Sequence, residues 1–389
     1  MKHADATRAK IFPGATAAVF AAALGLGLVA VAPRPARAED GAAAVHELSP
    51  SAEAAISRGL AWLATQQDRI TGSFGGSFKV ASTSLAGLAF LASGDQYDRG
   101  RYGVAIHEAV RYLLSDSVRR SPAGRPDLAF FRADDTQAQG RMHSHGMAML
   151  FLAECFGHTS VDDQIRAALR GAVLASLEAQ TERGGWGYSF RFDDDWNGPG
   201  GGDDEASVTV TQVQALRAAR NVGIYVPADA IGAALHYLKV SMNTSDGACR
   251  YSLTMGDEAE RKRRSFELTA AAVSTLNASG VYLGGGGPAA TELTRGLAYL
   301  RASMKKWPNP TAAATDFYYY GNFYAAQAMF QAEPADWEAW WPRAYPALLD
   351  KQRDRGHWPN ERNFGEVYTT ASALVILQLP RRYLPIFQK

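Results

Sequence analysis

The chain has 389 residues, 47% of them hydrophobic and 20% charged, with a formal net charge of +1. That composition excludes a disordered chain and allows one large or two ordinary domains with a sizeable core. It also lacks the basic excess that a nucleic-acid surface requires.

Residues 1–38 read as an export signal. Lys2, Arg8 and Lys10 form a positive start, Ala15 to Val31 an apolar stretch, and Ala36-Arg37-Ala38 a small-x-small cleavage site. An uncleaved membrane anchor is the competing reading of the apolar run, and no later stretch is apolar enough to span. Cleavage would remove five basic residues (Lys2, Arg8, Lys10, Arg34, Arg37) and one acid (Asp5), which takes +1 to −3. The mature chain, 39–389, is therefore expected to be secreted or periplasmic. It carries two cysteines, Cys155 and Cys249, outside any C-x-x-C spacing. Cys155 follows the apolar run MAMLFLAE and reads as a buried free thiol.

The mature chain repeats itself, and the repeat predicts its fold. Unit one runs AAISRGLAWLATQQ, GSFGG, STSLAGLAFLASG; unit two AIHEAVRYLLSDS, a long polar connection, HSHGMAMLFLAECFG. Unit three is IRAALRGAVLASLEAQ, GGWGY, SVTVTQVQALRAARNVGI, and unit four AIGAALHYLKVSMN, DGACRY, SFELTAAAVSTLNASGV. Units five and six run ELTRGLAYLRASM to FYYYGNFYAAQAMFQ, and WWPRAYPALLDKQ through RGHWP to EVYTTASALVILQL. In each pair the first helix has a charged side and the second is apolar nearly all round, so the second must be buried on every side. Six such pairs predict an all-α fold, an (α/α)6 toroid with concentric outer and inner helix rings. An open solenoid would need a polar terminal cap on its buried layer, and the final VILQLPRRYLPIF is not one.

Arg58-Gly59-x-x-Trp62-x-x-x-Gln66 followed by Gly72-x-Phe74 resembles the QW repeat of squalene and terpene cyclases. Gln180 with Gly184-x-Trp186 and Gln352 with Gly356-x-Trp358 are further copies, while unit four keeps only Gly247 and unit five Arg295-Gly296. The chain is thus similar to the prenyltransferase and squalene-oxidase repeat proteins, and its Leu379–Gln388 tail to secreted bacterial members. The resemblance implies the toroid, with each Gln bonding helix ends and each Trp stacked between units. It does not imply those families' chemistry. No D-x-D-D acid is present: neither Asp193-Asp194-Asp195 nor Asp203-Asp204-Glu205 has that spacing. No Asp/Cys/His zinc set is in place, Tyr368-Thr369 standing where a His ligand belongs, and the Cys-Gly-Glu-Gln thioester is absent.

In such a toroid the starts of the inner helices surround one end of a central cavity. There the sequence places candidate acid–base groups His145, Asp204 and Glu267, and candidate ligand contacts His143, Tyr320, Tyr324, Glu366 and Tyr368. Each also has an ordinary reason to be there: carboxylates favour a helix N-terminus, and tyrosines pack while keeping a polar tip. His143 and His145 are two apart, so they diverge on a helix and do not make an i, i+4 metal pair. Asp193, Asp195, Asn197, Gly198 and then Asp204 follow the alternating-oxygen pattern of a calcium loop, with a solvated loop as the alternative. The basic run at 261–264 reads as solvated. Three functions stay open: a toroid holding an isoprenoid-like, peptide or glycan ligand in its cavity, an enzyme acting on a terpenoid or polysaccharide, and a protein-interaction scaffold.

Overall fold

The computed structural model describes residues 48–133, 140–190, 204–256, 258, 265–279, 290–306 and 317–388. The signal segment, most of the candidate calcium loop and the basic run at 261–264 lie outside the described residues.

Twelve helices form among the described residues, in six pairs. They are α1 (Pro50–Thr65), α2 (Lys79–Leu91), α3 (Gly103–Leu114), α4 (Arg141–Cys155), α5 (Asp162–Ala179) and α6 (Ala206–Asn221). Then follow α7 (Ala228–Ser241), α8 (Phe266–Ala278), α9 (Ala290–Lys306), α10 (Tyr318–Gln331), α11 (Pro334–Lys351) and α12 (Glu366–Gln378). The even helices are buried almost throughout, as in α2 from Val80 to Leu91. Each packs on the next even helix, and α12 returns to α2. The inner ring is therefore closed and the chain is an α/α toroid. One departure from the all-helical expectation is a two-residue antiparallel pair, Arg119–Arg120 with Phe130–Phe131, in the connection of the second unit. No described helix is long and apolar enough to cross a membrane, and both cysteines are free and buried.

The QW-like turns explain how neighbouring units lock together. The Gln180 amide donates to Gly184 O and to Ala230 O of α7, both at 2.9 Å. Gln352 donates to Gly356 O and to Ala55 O of α1, both at 2.8 Å, so the last unit clasps the first. The Gln67 amide does the same with Gly72 O and Ala105 O of α3, at 3.0 Å each. This corrects the expected register by one residue: Gln67, not Gln66, is the bridging glutamine. Turn glycines are required because they lie against the next outer helix at positive φ. A Cβ at Gly184 (φ 89°) would sit 2.3 Å from Ala233 O.

The residue two after each turn glycine donates its backbone N–H to an inner-helix threonine. The pairs are Phe74 to Thr83, Trp186 to Thr209, Cys249 to Thr269 and Trp358 to Thr370, at 2.9 to 3.0 Å. Cys249 thus occupies the tryptophan position of the fourth unit. The indoles of Trp186 and Trp358 are fully buried and donate to Ser176 O and Leu348 O, both at 2.7 Å.

Candidate functional site

The two ends of the inner ring differ. At one end the tail turns inward. Leu384, Ile386 and Phe387 are buried, Phe387 edge-on to Phe323 with centroids 5.7 Å apart. Arg217 donates to Ile386 O at 3.2 Å and Gln331 to Phe387 O at 3.1 Å. Glu154 accepts the Ile386 N–H, and burial raises its carboxyl to about 7. The tail closes that end.

At the other end, where the inner helices begin, the residues form a mouth. On α10 the positions 320, 324, 327 and 331 recur at four, three and four, which puts them on one face. That face meets α6 across the lumen. Thr211 Oγ1 lies 3.4 Å from the Tyr324 hydroxyl, and the Gln214 amide donates to Gln327 Oε1 at 2.7 Å. Below Tyr324 the lumen is bridged by hydrogen-bonded polar side chains down to the tail.

Above Tyr324 the mouth is aromatic. Tyr320 stands edge-on to Tyr324 at 4.9 Å, and its hydroxyl is buried with no hydrogen-bond partner among the described residues. Burial and the nearby phenols of Tyr324, Tyr368 and Tyr188 push the Tyr320 pKa well up. His143 Nδ1 lies 3.0 Å from Thr211 Oγ1, and its ring is 5.9 Å from that of Tyr188. Desolvation lowers the His143 pKa to about 4, so the ring is neutral at pH 7. The Tyr188 and Tyr251 hydroxyls meet at 2.7 Å beside Glu205. Phe364 packs on Tyr368 at 5.1 Å, on Phe78 at 5.9 Å and on Phe317 at 6.2 Å.

Two carboxyl groups stand on this rim. Glu267, in the first turn of α8, runs along the backbone of α10, where a Cβ at Gly321 would lie 2.3 Å from its Cγ. Glu361 accepts the Tyr318 and Tyr319 N–H groups at 2.6 and 3.2 Å, capping α10. Its pKa is raised to about 7, chiefly by desolvation; the two N–H bonds oppose the shift and the charge of Glu267 adds to it.

The structure therefore brings His143, Tyr320, Tyr324 and Tyr368 together, with Glu267 beside them. Three expected rim residues lie elsewhere. His145 is fully buried behind α4, where its Nδ1 accepts the Phe131 N–H at 3.2 Å and its Nε2 faces Ala172 O and Ser176 Oγ at 3.2 Å. Two residues rotate a helical side chain by about 200°, so with His143 in the lumen His145 points outward. Asp204 is likewise fully buried, accepting from Arg183 Nε at 2.7 Å and Thr181 Oγ1 at 3.0 Å, and it anchors the Gly184 turn. Glu366 is half exposed, 3.5 Å from His357, outside the mouth. Asp193, Asp195 and Asn197 lie outside the described residues. Among the described residues no three His, Cys, Asp or Glu side chains converge as metal ligands.

Sequence reasoning missed Tyr188, Tyr251, Thr211, Glu361 and Phe364. A signal for two of them existed: Tyr188 follows Trp186 by two, as Tyr251 follows Cys249, so GWGY and ACRY place a tyrosine at one repeat position.

A closed ring of six helix pairs with a sealed end and an aromatic mouth defines the protein as an α/α toroid. No family model matches the chain, and no curated protein does. Solved structures do match it over nearly their full length. A GH76 α-mannanase from Bacteroides thetaiotaomicron is 13% identical with a TM-score of 0.59, covering 84% of this chain and 94% of that one. A cellobiose 2-epimerase from Bacillus thermoamylovorans is 11% identical with a TM-score of 0.59, covering 84% and 98%. The type II terpene cyclase MstE from Scytonema is 16% identical with a TM-score of 0.52, covering 86% and 100%. The toroid implied by the QW-like motifs is thereby borne out as a fold.

Proposed function

We propose that this toroid is an exported protein that binds a neutral glycan at its mouth, stacking sugar rings on Tyr320, Tyr368 and Phe364. One observation carries this reading. Beneath the aromatic mouth, the Thr211–Tyr324 and Gln214–Gln327 bridges cross the lumen with polar groups. A long isoprenoid needs a deep apolar channel, because its stabilisation scales with apolar area removed from water. A sugar needs aromatic faces flanked by hydroxyls and carboxylates, which the Tyr188–Tyr251 pair, Glu205 and Glu267 supply. The unpartnered Tyr320 hydroxyl is a donor for which a sugar hydroxyl is an acceptor.

Calorimetric titration of the mature chain with manno- and cello-oligosaccharides, and in parallel with geranylgeraniol, tests this. Oligosaccharide binding that Tyr320→Ala weakens is the expected result. Binding of geranylgeraniol with no response to either sugar series would overturn it. Export is tested by N-terminal sequencing of protein recovered from the producing cell's periplasm or medium, where a start at Glu39 is expected.

The rim carboxyls favour a second, catalytic reading. A carboxyl that keeps its proton near neutral pH beside a second carboxyl is the acid–base arrangement used on glycosidic bonds. Glu361 and Glu267 would form that pair. Release of reducing ends from an oligosaccharide, lost in both Glu361→Gln and Glu267→Gln, would establish it; binding without release in the unaltered chain would dismiss it.

A further inference from the structure

Outside the mouth, the seam between the last and first repeats holds a groove of about 390 Å³. Its walls include Trp62 on α1, Asp68, Gly76, Lys79 at the start of α2, and Glu366 at the start of α12. Several observations tie it to the mouth. Gly365 and Glu366 line the groove, while their chain neighbour Phe364 belongs to the mouth. On the facing element Lys79 lines the groove, while its neighbour Phe78 packs on Phe364 at 5.9 Å. The divide is thus a ridge of two aromatic rings. From the mouth outward, Tyr368, Phe364 and Phe78 make a run of aromatic rings, and Trp62 lines the groove beyond it. The Trp62 ring is held by the His357 ring, stacked at 5.0 Å with 26° between planes.

One wall of the groove is a glycine. Gly76 follows Phe74 by two, the repeat position at which the third and fourth units carry Tyr188 and Tyr251. A Cβ at Gly76 would meet nothing within 4 Å. Where the third and fourth units fill that position with a phenol and the sixth carries Asn360, the first unit leaves it open.

We infer that this seam groove is a second sugar-binding subsite, so that the protein takes a glycan chain running from the mouth over the Phe78–Phe364 ridge to the Trp62 face. This rests on the glycan reading of the mouth. Trp62 offers a supported ring face for stacking. Lys79, the Glu366 carboxylate and the Asp68 carboxylate, whose Oδ1 already accepts from Ile70 and Thr71, offer polar groups to ring hydroxyls at the groove's sides. A polar groove with one aromatic wall suits a sugar better than an apolar chain.

Chain length makes this testable. Affinities of a disaccharide and a hexasaccharide of the series that binds are to be measured for the unaltered protein, Tyr320→Ala, Trp62→Ala and Gly76→Phe. Gly76→Phe fills the groove from a position with free space and ordinary backbone, and a melting curve checks that it folds. In the unaltered protein the hexasaccharide is expected to bind about tenfold tighter, the worth of roughly one good stacking contact. Trp62→Ala and Gly76→Phe remove that gain and leave disaccharide affinity unchanged, whereas Tyr320→Ala weakens both ligands. A length gain that survives both groove variants overturns the subsite and leaves the mouth reading standing. Absence of binding at every length overturns both.

Discussion

The two ends of the lumen are built from the same six inner helices and spend their polar groups differently. At the tail end, Arg217, Gln331 and Glu154 bind the backbone of Ile386 and Phe387, so the helix ends and the tail complete each other. At the mouth, the Tyr320 hydroxyl is buried with no partner among the described residues. Buried polar atoms are normally bonded, and leaving one unmade costs about 1–3 kcal/mol. One end is closed by the chain's own tail, although Glu154 Oε2 and Gln331 Oε1 there also lack a partner among the described residues; at the other, the unbonded Tyr320 hydroxyl stands beside Tyr324 on the lumen face of α10.

The sharpest way to break this contrast is to damage the closed end. Phe387 is fully buried against Phe323, so Phe387→Ala should cost about 3–5 kcal/mol by chemical denaturation. A cost below about 1 kcal/mol would mean that the tail is an ornament and the ring closes without it. Gly184→Ala comes next. Its positive φ and the 2.3 Å approach to Ala233 O should make it lose about 1–3 kcal/mol, with the clasp between units three and four weakened. Gly76→Ala, the same change where no neighbour lies within 4 Å, should move the midpoint little.

Those glycines also show what the sequence disclosed and what it hid. The ring was legible because burial on all sides leaves an inner helix no polar face, and six such helices alternate with half-exposed ones. Turn glycines were legible because a positive φ against a neighbour's carbonyl admits no other residue. The bridging glutamine was misplaced by one, since Gln66 and Gln67 are adjacent and only the fold shows which reaches Ala105 O. At the mouth, His143 and His145 look alike in sequence, yet 200° of rotation puts one in the lumen and the other in the core. Asp204 sits in the right turn but is consumed by Arg183. Glu361 was invisible because it caps α10 from the connection before α12, a contact across 43 positions in sequence.

Each end holds one carboxyl raised to about 7 from an ordinary 4.5, Glu154 beneath the tail and Glu361 at the rim. Both shifts come first from desolvation. In the folded chain these groups keep their protons to higher pH than in the unfolded chain. Stability should therefore fall as pH rises from about 4.5 to 7 and level off above it. Glu154→Gln and Glu361→Gln should each flatten part of that slope in urea titrations run across the range. The contrast predicts that only Glu361→Gln also alters the pH profile of sugar binding. A binding profile altered by Glu154→Gln instead would mean that the sealed end communicates with the ligand.

The smallest expected effect on stability is the most discriminating for the mouth. Tyr320→Phe removes a hydroxyl that bonds nothing among the described residues, so it should shift stability by less than about 1 kcal/mol and, if at all, upward. The same substitution should weaken sugar binding severalfold, because the hydroxyl's only use is then the ligand. A residue kept for packing would show the reverse: a stability loss and unchanged binding. Tyr324→Phe is the internal control, since its hydroxyl already faces Thr211 Oγ1 at 3.4 Å and lies below the mouth. It should cost some stability and little affinity. If Tyr320 and Tyr324 respond alike, the line between mouth and bridged lumen has been drawn one helical turn too high.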